Sequence, residues 1–361
     1  MKRTRKILAV VLAVVTALSV VQLGTMISFA DTSFDEGDFR FTVTSGDKLL
    51  VSKYYGSSTD VTLPGTVNDR QVTGIYRNCF RESDIVSVTI PDGYTSIGDF
   101  AFQKCSSLTT VRIPQSLISI GTMAFNKCSA LSGIGLETAP GLSSVGFAAF
   151  SGCSSLAEVS FPANAAIGEN AFADCTSLTA VSLPENMTAV PEYAFYNCGF
   201  TSLGLPEGIE AIGEGAFASN GSLSSLTLPY SLKTIGNDSF KDDPLLTKVF
   251  VSDKVTSIGT TAFSPMADDG AMTVTCYRGS YTAALYEQYG VKGLNVIDKI
   301  SGDVNLDGIL DITDATAIQK HLAEIDILSA VQLAVADANG DGFLDVADAT
   351  EVQYIVAGLR S

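Results

Sequence analysis

One spacing governs what this chain can become. A phenylalanine, usually preceded by alanine, recurs at Phe80, Phe102, Phe125, Phe150, Phe172, Phe195, Phe217, Phe240 and Phe263, in steps of 22 to 25 residues. A period this short, sustained this long, is the mark of a solenoid, whose units bury their apolar faces only against their neighbours. Around each Phe lies one frame: Ile-Gly four to five residues before it, Cys three after, Leu six after, then Val-x-Ile and often Pro, shown whole over residues 97–114. The L-x-x-V-x-I portion alternates and so predicts a short strand with Leu, Val and Ile pointing inward, which the following Pro ends. The Ala-Phe portion supplies the opposite wall of about nine stacked rungs.

Cys105, Cys128, Cys153, Cys175 and Cys198 fall at the same place in five successive rungs, and Asn220 takes that place in the next. Rungs about 4.8 Å apart would bring neighbouring thiols near disulfide distance. Five in a row cannot all pair, however, and Asn substitutes for Cys, so buried free thiols are expected. With no C-x-x-C present, and with Cys79 and Cys276 apart from the column, neither metal nor redox chemistry is indicated for the cysteines.

Over roughly residues 39–297 the repeated I-G-x-x-A-F-x-x-C-x-x-L-x-x-V-x-I-P frame resembles the BspA-like leucine-rich repeat proteins of bacterial surfaces. In that family the Cys or Asn is the ladder position, where a small side chain faces the turn backbone. Asp60 to Pro64 and Val72 to Ile75 look like an irregular first rung. Thr273 to Ser280, with Ala284, Leu285 and Tyr289 after it, looks like a closing strand and helix. The frame is departed from at Leu136-Glu137, where Pro is missing, at Val190-Pro191 in place of Ile-Gly, and at Phe250 on the outward strand position. The resemblance implies a protein-binding or adhesive surface without naming its ligand. The outward strip itself reads Thr89, Arg112, Gly135, Ser160, Ser182, Gly204, Thr227 and Phe250, small and polar with one aromatic, which disfavours carbohydrate recognition by that face.

The ends of the chain differ from the repeats. Lys2, Arg3, Arg5 and Lys6 precede an apolar run from Ile7 to Val21, and Ser28-Phe29-Ala30 ends on small residues, the pattern of a secretory signal over residues 1–30 cleaved after Ala30. Drawn out to Ala30, the same stretch is long enough to serve as a retained membrane anchor, the competing reading. Of the net charge of −17, residues 298–361 carry −9 and the signal +4, so a chain starting at residue 31 is near −21 and repels nucleic acid and anionic membrane.

After Ile297 two acidic segments appear, Asp303 to Asp314 and Asp337 to Asp348, offset by 34 residues. Calcium takes six to eight oxygens, and a twelve-residue loop supplies them from positions 1, 3, 5, 7, 9 and 12, with Gly at 6 for the sharp turn. In the first segment these are Asp303, Asn305, Asp307, the Ile309 carbonyl, Asp311 and Asp314. In the second they are Asp337, Asn339, Asp341, the Phe343 carbonyl, Asp345 and Asp348. Two calcium ions are therefore expected. Each loop runs into an amphipathic helix, with Ala315, Ile318, Leu322 and Ile325 on one face of the first, Ala349, Val352, Ile355 and Leu359 on one face of the second, and Gly358 as its cap.

With Asp at position 12 and no helix before the first loop, residues 298–361 resemble type I dockerins of anaerobic polysaccharide-degrading bacteria. That resemblance implies insertion into a cohesin module of a scaffoldin. The contacts it implies are Ile312, Thr313, Gln319 and Lys320 in one half and Val346, Ala347, Gln353 and Tyr354 in the other. Many dockerins carry Ser-Thr where this chain has Ile312-Thr313 and Val346-Ala347, which implies a different cohesin specificity and unequal halves.

The fold expected is thus an α/β-type leucine-rich repeat solenoid with short parallel strands over residues 31–297, followed by a small all-α, EF-hand-like dockerin over residues 298–361. Catalysis is poorly supplied. The single His, His321, lies on a dockerin helix, so no Ser-His-Asp or Cys-His set is available in the repeats. Glu137, Glu158, Glu169, Asp174, Glu185 and Glu214 fall on scattered turns rather than in glycosidase-like pairs. The expectation is a secreted, non-enzymatic component of a cellulosome-type polysaccharide-degrading complex, extracellular or held at the cell surface through a scaffold protein. Its repeats would bind a protein or cell-surface ligand. The alternative is a dockerin-borne hydrolase or protease inhibitor acting through repeat loops.

Overall fold

A computed structural model describes residues 33–264 and 272–359. The signal expected over residues 1–30 lies outside them. Among the described residues, no helix is long and apolar enough to cross a membrane.

The nine phenylalanines form one column. Successive rings lie 5.0–5.6 Å apart, centroid to centroid, with planes within 10° of parallel. The spacing is set by the backbone. The N–H of each of the first eight phenylalanines donates to the carbonyl of the residue before the next Phe, as in Phe102 to Ala124, Phe125 to Ala149 and Phe172 to Ala194. The Ala-Phe turn is therefore a hydrogen-bonded ladder rather than a helix. To hold it, residues two before and two after the Phe adopt positive φ in most rungs, including the bulky Phe100 (57°), Met123 (52°) and Tyr193 (52°). L-residues resist this conformation, and the bonds between rungs offset its cost.

Most rungs carry two strands. The expected one forms, as at Ser87–Thr89, Thr110–Arg112 and Ala180–Ser182, with Val88, Val111 and Leu108 buried and Val181 and Leu226 half-buried against the core. A second, two-residue strand at Ser96–Ile97, Ser119–Ile120, Ser144–Val145 and onward pairs in parallel with its counterparts. It explains the Gly that follows. A Cβ at Gly146, Gly168, Gly213 or Gly236 would stand 2.7 Å from backbone of the preceding rung, closer than carbon permits. The missing Pro near Leu136 has its own consequence. Gly135 turns left-handed, Leu136–Thr138 becomes a 3-10 turn, and the outward sheet is interrupted there.

The N-terminal cap is an antiparallel meander, β1 (Ser33–Glu36), β2 (Phe39–Val43) and β3 (Leu49–Tyr54), which places Phe41, Leu49 and Val51 over the open end of the core. The other end is closed by β4 (Lys248–Val251), β5 (Thr273–Tyr277), helix α1 (Tyr281–Tyr289) and β6 (Leu294–Ile297). Ser280 caps α1 through the Ala283 N–H. The closing strand and helix are as expected, but the buried face of α1 is Thr282, Ala283 and Tyr286, while Ala284 and Tyr289 are exposed. Of the three apolar residues read from the sequence, Leu285 alone is half-buried and packs against the core.

All seven cysteines are free and buried. The five ladder thiols each donate to a Phe carbonyl at 2.9–3.3 Å, Cys105 to Phe80 and Cys128 to Phe102 among them, and Asn220 donates likewise to Phe195. Burial pushes the Cys153 and Cys198 thiols well up and the Cys175 thiol to about 12, so they are inert.

The next ladder residue is Asp243. Its Oδ1 accepts the Asn220 N–H at 2.7 Å, and its buried Oδ2 has no partner among the described residues. Burial pushes this carboxyl up to about 8, with the neighbouring Asp242 charge adding to the rise and the Asn220 N–H opposing it. The folded chain thus holds a proton that the unfolded chain releases near pH 4. The stability this gives is full below about pH 4 and falls as pH rises towards the folded value of about 8. Asp243→Asn, copying the preceding rung, is expected to melt several degrees higher than the parent at pH 8, with the difference closing towards pH 4 in pH-resolved thermal melts. An equal shift at both pH values would contradict the protonated assignment.

Candidate functional site

Beyond β6 the chain folds into α2 (Ile312–Leu322), α3 (Ala330–Ala336) and α4 (Val346–Val356). Both acidic segments lead directly into a helix, and the two loop–helix units pack on a core of Val304, Ala315, Ile318, Leu328, Ala336, Ala349 and Val352. Leu310 and Leu344, at equivalent places in the two loops, lean on that core.

The two loops are built alike. In the first, Asp303 accepts the N–H groups of Asp307 and Gly308, Asn305 accepts that of Asp307, and Asp307 accepts that of Ile309 at 2.8 Å. In the second, Asp337 accepts from Gly340, Asp341 and Gly342, Asn339 from Asp341, and Asp341 from Phe343 at 2.9 Å. The last position closes each ring. Asp314 is fully buried and takes the N–H groups of Val304, Asn305 and Asp311 at 2.9–3.0 Å, and Asp348 takes those of Ala338, Asn339 and Asp345. Position 9 doubles as the helix cap: Asp311 and Asp345 receive the Thr313 and Ala347 N–H groups, completing reciprocal capping boxes with Asp314 and Asp348.

The donor set suits a hard cation: each loop offers only carboxylate, amide and carbonyl oxygens. Asp303 is almost fully buried, and burial first, then the nearby charges of Asp314 and Asp307, holds its carboxyl above the usual range. A cation in the loop would relieve that repulsion. Among the described residues no set of three or more acidic, His or Cys side chains is already closed to coordination distance. The carboxylates are instead held in place by the loop N–H groups, with oxygen lone pairs to spare.

At the recognition positions, Ile312 (53% exposed) and Val346 (65%) stand free at the two helix starts. Thr313, Gln319, Lys320, Ala347 and Tyr354 are exposed and Gln353 is half-buried. The halves differ in chemistry: the Thr313 hydroxyl joins Asp311 and Asn305 at 2.6 and 2.9 Å, contacts that Ala347 cannot make.

Three features differ from the sequence reading. The stripe assigned to α2 ends early: Ala315 and Ile318 are buried, but Leu322 is 39% exposed and Ile325, beyond the helix, 75%. In α4, Ala349 and Val352 are buried and Gly358 turns left-handed at the end as expected, while Leu359 is exposed. Helix α3 was not anticipated, although Ser329-x-x-Gln332 is a legible capping box. Gln332 also reaches back to the Val304 carbonyl at 3.0 Å. His321 serves structure, its Nδ1 accepting the Leu328 N–H at 3.3 Å.

Comparison with known proteins agrees with both halves. The BspA type leucine rich repeat region model matches six copies over residues 73–166 and 143–267, more than half of the chain. The chain belongs to the BspA-type leucine-rich repeat family. The dockerin type I domain model matches residues 301–356. A leucine-rich repeat protein of Bacteroides ovatus is similar in structure, with TM-score 0.61 and 26% identity, over 76% of this chain and 69% of its own. A leucine rich cell surface protein of Faecalibacterium prausnitzii gives TM-score 0.56 and 26% identity over 68% and 76%. No curated protein matches significantly. Type I dockerin domains bind calcium and mark cellulosome-type assembly, and leucine-rich repeats mediate protein–protein interaction. Both are non-catalytic binding modules.

The closing carboxylates carry the nearest test. Asp314→Ala strands three loop N–H groups at once. It is expected to cost about 2–4 kcal/mol in the plug and to halve the calcium-induced rise in melting temperature, whereas Glu324→Ala, an exposed change outside the loops, leaves that rise intact.

Proposed function

We propose that this protein is a secreted, non-catalytic component of a cellulosome-type polysaccharide-degrading complex. Residues 1–30 would direct export, residues 31–297 form the binding solenoid, and residues 298–361 the plug that enters a scaffoldin cohesin. The observation that carries the reading is the doubled loop: two acidic segments with the same N–H to carboxylate pattern and capping-box closure, each feeding a helix. Such a pair suits two calcium ions, held by Asp303, Asn305, Asp307, the Ile309 carbonyl, Asp311 and Asp314, and by their counterparts Asp337 to Asp348.

The cohesin face is read as Ile312, Thr313, Gln319 and Lys320 with Val346, Ala347, Gln353 and Tyr354. Apolar side chains at both helix starts point to a cohesin with an apolar seat there. The location is extracellular, free or at the cell surface through the scaffold protein, as the cell-surface description of the Faecalibacterium relative suggests. The repeats would engage a protein or cell-surface partner.

The six repeat-region carboxylates named above are all exposed, and Glu214 accepts the Tyr193 hydroxyl at 2.7 Å. Scattered, solvated surface acids of this kind do not make the opposed carboxyl pair that glycoside cleavage needs. Calorimetric titration of the full chain is expected to give two calcium ions, reduced to none by Asp303→Ala with Asp337→Ala, and the purified protein is expected not to turn over plant polysaccharides or casein. Undiminished calcium binding by the double variant would overturn the plug assignment, and reproducible turnover would overturn the non-catalytic one.

A further inference from the structure

The plug does not hang from a free linker. Ile297 ends β6 inside the last sheet of the solenoid, and the first loop opens six residues later at Asp303. Tyr277 and Ile297 from the solenoid cap and Val335 from α3 form a buried cluster, with Phe250 and Leu306 packed against it. The Phe250 ring meets that of Tyr277 edge-on at 5.1 Å. Gly308, at position 6 of the loop, lies so near the cap that a Cβ there would stand 3.0 Å from Ile297. Lys299 bridges the junction, 3.0 Å from the Asp253 carboxylate and 5.3 Å above the Tyr277 ring.

Two otherwise odd choices meet at this contact. Phe250 is the one large apolar side chain on an outward strip of small and polar residues. Leu306 occupies position 4 of the first loop at φ 60°, where the second loop has Gly340 at φ 76°. A leucine in that conformation costs about 1 kcal/mol or more relative to glycine, so the loop alone would not select it. The second loop has no such neighbour: nothing lies within 4 Å of a Cβ placed on Gly340 or Gly342.

We infer that Phe250 and Leu306 form a built-in dock, which fixes the plug's orientation on the last rungs of the solenoid and couples filling of the first calcium loop to that orientation. This rests on the calcium reading above. The dock holds Leu306 left-handed, and so does the ring of Asp303, Asn305 and Asp307 oxygens when it closes around a cation. Each event therefore favours the other, and the coupling is reciprocal. The second loop lacks the contact, so the two calcium sites are unequal in the intact chain, and the repeats are presented to their partner at a set angle from the scaffold.

The test uses the full chain with spin labels on Glu158→Cys and Thr316→Cys, both exposed positions, the native thiols being buried. With calcium, a narrow distance distribution is expected. Leu306→Gly, which copies the second loop, should widen it at least twofold while still binding two ions by calorimetry. Phe250→Thr, which copies the preceding rung, should widen it equally and weaken the tighter calcium step about fivefold or more. The double variant should be no wider than either. Unchanged width in both variants overturns the dock, and a distribution that stays narrow after chelation overturns its coupling to calcium. Loss of calcium binding by Leu306→Gly would show that the leucine serves the loop, not the dock. Failure of the parent chain to bind calcium at all would instead remove the reading beneath.

Discussion

Everything in the solenoid depends on the hydrogen bond from each of the first eight Phe N–H groups to the carbonyl before the next Phe, one rung on. It sets the rise, and the rise sets what each recurring place can hold. Rings 5.0–5.6 Å apart can stack, so the Phe column becomes the continuous wall of the core. Backbones that close leave no room for a Cβ after the Ser-Ile strand, so glycine recurs there. The Phe carbonyl left inside each turn needs a donor, and a thiol or an amide supplies one, which accounts for Cys and Asn at a single place. An array of this kind has open ends, and here they are closed by different means, an antiparallel meander at one and a strand, a helix and the calcium plug at the other.

Much of this is legible in the sequence because it repeats. The Phe spacing, the Cys column, the inward Val-x-Ile strand and the twelve-residue loops each announce themselves by recurrence, and each lies where expected. What was missed does not recur or is not local. The Ser-Ile strand is two residues long and its hydrogen bonds all run to other rungs, so no window of sequence displays it. The meander over residues 33–54 precedes the first repeat. Helix α1 turns Thr282, Ala283 and Tyr286 inward because Tyr286 packs under the last rungs and reaches the Gly259 carbonyl, a preference its own spacing does not encode. Phe250 reads as a local irregularity until Leu306, 56 residues later, is found packed on the same Tyr277, Ile297 and Val335 cluster.

The division of labour follows from these constraints. The repeats form a stacked, acidic body with an outward face of mostly small and polar side chains. Such a body suits binding and presentation. The plug spends its acids on shaping two oxygen-rich loops and leaves Ile312 and Val346 free at the helix starts. Carrying the repeats is the task this arrangement suits.

The most direct measurement is capture of the full-length chain on immobilised type I cohesin modules, followed by surface plasmon resonance in calcium and after chelation. Binding by at least one cohesin in calcium, lost on chelation and restored when calcium is returned, is the expected result. Binding that persists unchanged in chelator, or its survival in a chain lacking both Asp303 and Asp337 carboxylates, would contradict delivery of the repeats through a calcium-shaped plug.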